Sequence, residues 1–245
     1  MYREEPLTTN PQRRLAPTKN AEALARGIEA LQDIGELFYQ RGWSLGTSSN
    51  YSVVLDARPL WLLITASGRD KRLLTADDFV TVSANGLPTS AAAARPSAET
   101  LLHVALVQHA DAGAVLHTHS VWNTLLSDLY FAAGGLQITG YEMLKGLAGV
   151  TTHEHAAWIE IFDNSQDMVG LAAQVQARLT DPVQPLRHGF LLRGHGLYTW
   201  GRDLAEARRH VEVLEFLFEV ISRRLELAAR QSPPSAAADA FDSRG

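Results

Sequence analysis

His117-Thr118-His119 ends an apolar run, Ala114-Val115-Leu116, and is followed by Ser120. Side chains alternate along a strand, so Thr118 faces one way and both histidines the other. Two imidazoles on one face at that separation can grip one metal ion, and imidazole suits zinc well. Histidine pairs also stand at sheet ends as satisfied polar residues, so the spacing alone leaves both readings open. A metal centre needs a third ligand. His103, His109 and His210 fall in predicted helices, where a packed or solvated histidine is ordinary, and His188 precedes a strand. His195 stands in Arg193-Gly194-His195-Gly196-Leu197. Glycine on both sides permits unusual dihedrals and close approach, which makes His195 the candidate third ligand. His153-Glu154-His155 is a competing pair, but no apolar strand leads into it, and it reads as a loop or a substrate contact.

Three neutral histidines and one divalent ion leave an open coordination position, the mark of a catalytic rather than a structural zinc. Such an ion polarises a carbonyl, and the chemistry then needs a group that moves protons. Two carboxylates stand out. Glu99 opens a predicted helix, where the positive dipole end favours its ionised form, or where it is simply a helix-start acid. Glu142, in Gly140-Tyr141-Glu142-Met143-Leu144-Lys145-Gly146, lies amid apolar residues. Partial burial there would raise its pKa toward acid/base work; the alternative is a surface glutamate paired with Lys145 at i+3. Gly46-Thr47-Ser48-Ser49-Asn50 and Ala66-Ser67-Gly68-Arg69-Asp70-Lys71 are polar turns of small residues. Their hydroxyls and free N–H groups are what a phosphate wants, although each could be only a turn.

The elements that must hold these residues alternate between helix and strand. A helix capped by Asn20 is expected over 21–41, with Ala23, Leu24, Ile28, Leu31, Ile34 and Leu37 on one face. Strands follow near 51–56 and 60–66, then a short helix from Thr75 and Asp78. Ser97 caps a predicted helix over 98–111, with strand 113–118 and a helix near 120–132 after it. Further strands are expected at 157–162 and 189–200, and Asp203 with Glu206 begins a helix over 204–230. This is an α/β chain with several neighbouring strands close enough to be antiparallel. Residues 1–19 read as a flexible arm, 20–230 as one domain and 231–245 as a disordered tail.

The chain has 245 residues, 46% hydrophobic and 20% charged, enough to bury a substantial core. It has no cysteine, which excludes disulfides and thiolate ligands. A net charge of −5 argues against a nucleic-acid surface, while an anionic small substrate needs only local donors. No apolar run approaches a membrane span and the N-terminus lacks a signal-peptide core, so a cytoplasmic protein is expected.

Together, Gly46-Thr47-Ser48-Ser49-Asn50-Tyr51-Ser52, Thr65-Ala66-Ser67-Gly68, Pro96-Ser97-Ala98-Glu99, Ala114 to Ser120 and Gly194-His195-Gly196 resemble the class II aldolase/adducin family over residues 22–228. The order and spacing of these blocks is more specific than any one of them. The resemblance implies a three-layer α/β/α fold with a central mixed, largely antiparallel sheet. It implies one zinc per subunit on His117, His119 and His195, and a homotetramer with sites near subunit interfaces. It also implies that Gly46, Thr47, Ser48, Asn50, Ser67 and Gly68 face the phosphate of a small phosphorylated sugar. A narrower likeness runs through Tyr141 to Leu147, Thr152-His153-Glu154 and Ile161 to Asp167. It implies dehydration of 5-methylthioribulose 1-phosphate to 2,3-diketo-5-methylthiopentyl 1-phosphate, a step of methionine salvage, with Glu142 as acid/base. The glutamate matching Glu99 is the acid/base of the family's aldolases and can touch zinc, so Glu99 is catalytic, a ligand or residual. The alternatives are a sugar-phosphate aldolase or epimerase, and a non-catalytic adducin-like interaction module; the latter lack the metal histidines.

Overall fold

A computed structural model describes residues 17–90 and 94–231. Eight strands form one sheet: β1 (Asn50–Ala57), β2 (Leu60–Thr65), β3 (Phe79–Val82), β4 (Ala114–Thr118), β5 (Gly135–Ile138), β6 (Ala157–Phe162), β7 (Gly189–Leu192) and β8 (Gly196–Gly201). Their spatial order is β3-β2-β1-β4-β8-β7-β6-β5. Every neighbouring pair is antiparallel except β6 and β7, which are parallel. Five helices accompany the sheet: α1 (Pro17–Gln40), α2 (Thr100–His109), α3 (Val121–Leu129), α4 (Met168–Leu179) and α5 (Leu204–Gln231).

Alternation along β4 explains the layering. Ala114 and Leu116 pack with Leu31, Ile34 and Phe38 of α1 and with Ala207 and Val211 of α5. Val115, on the other face, packs with Leu102 and Leu106 of α2 and with Leu171, Val175 and Leu179 of α4. Leu126 of α3 joins the first layer through Leu214, Leu217 and Phe218 of α5. Helices thus cover both faces, and the expected three-layer α/β/α architecture with a largely antiparallel sheet is observed.

Several expected elements shift. The first helix begins at Pro17 rather than 21, and proline is at home in a first helical turn. Residues 17–19 therefore belong to a helix and Gln231 closes α5, while 1–16 and 232–245 of the expected arm and tail lie outside the described residues. The second helix starts at Thr100, because the Ser97 hydroxyl accepts from Glu99 N and the chain turns there first. Residues 189–200 are a hairpin rather than one strand, turned at Arg193–His195. Strands β3 and β5 and helix α4 had no counterpart in the sequence reading. Asp203 does begin α5: its carboxylate accepts from Glu206 N, and Glu206 accepts from Arg202 N.

One edge of the sheet gathers the chemistry. There β1 starts and β2, β4, β6 and β7 end, with Asn50 opposite His117, Thr118 opposite Leu197 and Phe162 opposite Leu192.

Candidate active site

His117 pairs with Tyr198 across β4 and β8, and their rings stack at 4.0 Å. Its Nδ1 lies 2.9 Å from Leu197 O. A carbonyl can only accept, so Nδ1 carries the proton and Nε2 presents a lone pair. His195 Nδ1 is likewise 3.1 Å from Asn164 Oδ1, which frees its Nε2. His117 Nε2 lies 2.8 Å from His119 Nε2 and 3.3 Å from His195 Nε2. The three side chains can each offer a nitrogen within 4.8 Å of the others, a group that could hold a metal ion. Converging lone pairs repel unless a cation takes them, so the donor set fits a metal. Burial and the neighbouring imidazoles hold His117 well below the usual histidine range and bring His119 down to about 4. Both are therefore neutral at pH 7, as ligands must be.

The hairpin explains how His195 arrives. Gly194 adopts φ +58°, and a Cβ on Gly196 would sit 2.1 Å from Thr118 O and 2.9 Å from the His117 ring. Only glycine lets β8 start this close to the end of β4. Helix α3 ties the two ligand segments together. The Ser120 hydroxyl caps it, and Thr124 Oγ1 donates to Ser120 O and to His195 O.

Glu99 faces the triad, with Oε1 3.2 Å from His195 Nε2 and Oε2 3.6 Å from His117 Nε2. Asn50 Nδ2 at 2.5 Å and the Tyr198 hydroxyl at 2.7 Å donate to the same Oε2. Asn50 Oδ1 accepts from His103 Nε2, so His103 Nδ1 accepts from Ser52 Oγ at 2.7 Å. Burial lowers His103 to about 3, so this chain of bonds delivers no proton and instead fixes the carboxylate. His103 is the packed helical histidine that the sequence suggested.

Behind the triad, on the opposite face, Glu215 of α5 is 1% exposed. Its Oε1 accepts from Thr118 Oγ1 at 2.7 Å and Asn123 Nδ2 at 2.9 Å, while Oε2 has no partner. Burial raises this carboxyl to about 7.

The phosphate candidates divide. Gly46, Thr47, Ser67 and Gly68 are exposed. They lie at the triad edge: Ala66 bridges to Pro96 just before Glu99, and His119 N donates to Trp43 O just before the Gly46 turn. Ser48 donates its hydroxyl to Leu45 O, and both ends of the Asn50 amide are taken, so Asn50 orients Glu99 instead of offering a free donor.

Glu142 is placed elsewhere. It opens a 3₁₀ turn, Glu142–Gly146, after β5, at the sheet edge opposite the triad. Strand β6 alone, Ala157–Phe162, sets roughly 16 Å between those edges. Its side chain is 72% exposed, with Lys145 Nζ at 2.5 Å and His153 Nδ1 at 3.7 Å. The Lys145 hydrogen bond lowers its pKa, whereas partial burial was expected to raise it. The i+3 pairing, not the apolar neighbours, sets its environment, because Met143 also turns outward. His153 and His155 share this far edge, and among the described residues no second metal-competent cluster forms. Tyr198, Asn164 and Glu215 escaped the sequence reading, since only strand pairing and packing bring them to the triad.

Residues 29–222 match the profile of the Class II Aldolase and Adducin N-terminal domain, and the chain belongs to that family. Among curated relatives, a protein of Marinobacter nauticus named methylthioribulose-1-phosphate dehydratase is 45% identical over 80% of this chain and 92% of its own length. One of that name from Serratia proteamaculans is 47% identical over 83% and 97%. Among solved structures, YgbL of Escherichia coli, described as a putative aldolase/epimerase/decarboxylase, aligns with a TM-score of 0.66 at 26% identity over 83% of this chain and 89% of its own. The L-fuculose-1-phosphate aldolase of Thermus thermophilus shares the fold, with a TM-score of 0.65 at 24% identity over 84% and 98%. No helix among the described residues is long and apolar enough to cross a membrane.

Proposed function

We propose that this chain is a metal-dependent lyase that removes water from 5-methylthioribulose 1-phosphate. The observation that carries the chemistry is Glu99 lying 3.2–3.6 Å from the converging nitrogens of the triad. The substrate rests on the names of relatives matched over 92% and 97% of their own length. His117, His119 and His195 would hold the ion, with zinc the best match to three imidazoles. Such an ion supplies Lewis-acid polarisation of a carbonyl.

The chain's own residues do the rest. Glu99, held by Asn50 and Tyr198, takes the C3 proton beside the C2 carbonyl. The C4 hydroxyl leaves as water after accepting a proton, and the resulting enol ketonises to the 2,3-diketone. Glu142 would be the donor to that hydroxyl at the triad of a second copy of this chain, where contact with the neighbour would have to displace the Lys145 bond that keeps it ionised. Its exposure and its single-chain partners, Lys145 and His153, fit a side chain awaiting a neighbour. The phosphate lies against the Gly46–Ser48 and Ser67–Gly68 turns.

An aldolase would use the same triad and Glu99 but would break a carbon–carbon bond. The test offers purified, metal-loaded protein methylthioribulose 1-phosphate beside fuculose and ribulose phosphates. Loss of water from the first and no cleavage of the others is expected. Aldehyde release from the others, with the first untouched, would refute the dehydratase reading.

A further inference from the structure

Lys71 is 1% exposed, among the largest fully buried side chains in the protein. Lysine is almost never fully buried unless its charge is matched. Here the match within the chain is partial: burial pulls the ammonium's pKa down to about 8, even though Asp70 and Asp78 attract it through space. Lys71 Nζ donates to Arg69 O at 2.7 Å, and among the described residues it makes no other hydrogen bond and no ion pair. Neither acid bonds the ammonium directly: Asp78 pairs with Arg69 at 3.1 Å, and Asp70 with Arg72 at 3.5 Å and with the Arg72 backbone. An ammonium has three donors, so two are left over inside the protein. A buried charge without a direct ion pair is costly, and packing does not require one here, because the aliphatic stem could end in a methyl group.

The location says what would match the charge. Lys71 follows the Ser67–Gly68 turn by three residues, on the connection that leaves β2 at the triad edge. Gly68 adopts φ +71° and has nothing within 4 Å of where a Cβ would stand, so its backbone borders open space. The Nζ bond to Arg69 O at 2.7 Å folds the side chain back along this turn, so the ammonium lies against the residue that follows Gly68.

We propose that Lys71 is a substrate-anchoring residue whose ammonium binds the phosphate monoester of the substrate, on the triad side of the β2 connection. This rests on the phosphorylated substrate of the reading above. It gives that substrate a cationic contact which the hydroxyls and backbone N–H groups of the two turns lack. An anionic ligand also explains how the fold tolerates the charge: the bound state completes a pairing that the free chain leaves open.

The test is calorimetric titration of methyl phosphate into the metal-loaded full chain, for the wild type, Lys71→Met and Lys71→Arg, with thermal melts of each without ligand. The wild type should bind, Lys71→Met should bind on the order of 10- to 100-fold more weakly, and Lys71→Arg should keep part of the affinity. Unliganded Lys71→Met should melt at or above the wild type, because a buried charge without a direct ion pair is gone. Equal affinity in wild type and Lys71→Met overturns the proposal. So does a Lys71→Met protein that melts well below the wild type while Lys71→Arg restores melting without restoring binding, since that is a structural lysine. A wild type that binds no phosphate monoester refutes the phosphorylated substrate itself, a different failure from that of Lys71.

Discussion

Glu99→Gln isolates the proton-moving role at the triad. The carboxylate Oε2 accepts from Asn50 and Tyr198, and Oε1 faces His195 Nε2. Glutamine is isosteric and keeps one oxygen, which can retain both accepted bonds while its NH₂ turns toward the histidines. Each bond changes from charge-assisted to neutral, a loss of about 1 kcal/mol apiece. The side chain is 15% exposed, so no longer desolvating a carboxylate offsets part of that. A net cost below about 2 kcal/mol corresponds to a fall in Tm of no more than about 8 °C for a chain of this size. Catalysis should respond on another scale, because removing a positioned general base costs roughly 10²- to 10⁴-fold in turnover. The assay pairs single-turnover dehydration with metal content after dialysis. A thousandfold slower protein that keeps stoichiometric metal supports a base. Full metal with turnover within a few-fold of wild type refutes the role, and loss of metal would make Glu99 chiefly a ligand.

The remaining predictions probe the supports and the distant acid. Glu215 has its pKa raised to about 7 in the fold, so the folded state binds more protons than the unfolded state between about pH 4.5 and 7. Its contribution to stability is therefore full at low pH and lost as pH rises through that window, and Glu215→Gln should flatten this component of the stability-versus-pH curve of the metal-free protein; an unchanged slope contradicts it. Gly196→Ala drives a methyl group against Thr118 O and His117, so urea unfolding should show a loss of several kcal/mol together with weakened metal binding; a wild-type midpoint would mean that β8 can move away freely. Glu142→Gln should abolish turnover with metal retained, and mixed oligomers of Glu142→Gln and Glu99→Gln chains should recover activity that neither shows alone. Absence of recovery in verified mixed assemblies removes Glu142 from the second copy's site.

Legibility from sequence followed the range of the interactions involved. The triad was readable because one pair obeys the period of a strand and the third histidine carries the glycines that its close approach demands. Helix α4 also carries a local signal: Asp167 caps it, and Leu171, Val175 and Leu179 recur at i+4. Strands β3 and β5 have four residues each, too few for a period to emerge. Glu99 was named for its place at a helix start, yet what positions it is the pairing of β4 with β8 and the meeting of Asn50 with His103, contacts that span about fifty to a hundred residues. For Glu142 the sequence leaves burial among apolar neighbours and an i+3 pair with Lys145 both open, and the fold shows the pair. In the fold, Leu144 turns inward while Glu142 and Met143 turn out. Lys71 looked like one cation in a polar turn, and its burial comes from α1 lying over that turn, where a Cβ on Gly35 would meet Lys71 O at 2.2 Å.

The partners of the triad's outer nitrogens have a consequence for electronic character. His117 leans on a peptide carbonyl and His195 on a neutral amide, not on carboxylates. Dipoles fix which nitrogen is free without pushing negative charge into the imidazole rings, whereas a carboxylate partner would make the ligands more basic. A divalent ion seated there would keep most of its positive charge for whatever oxygen approaches the open side. Among the described residues, Glu99 is the carboxylate that faces the triad nitrogens and could temper it. Neutral supports would thus make a bound ion a stronger electrophile with a weaker grip, a trade suited to polarising a ketone rather than to bracing a fold.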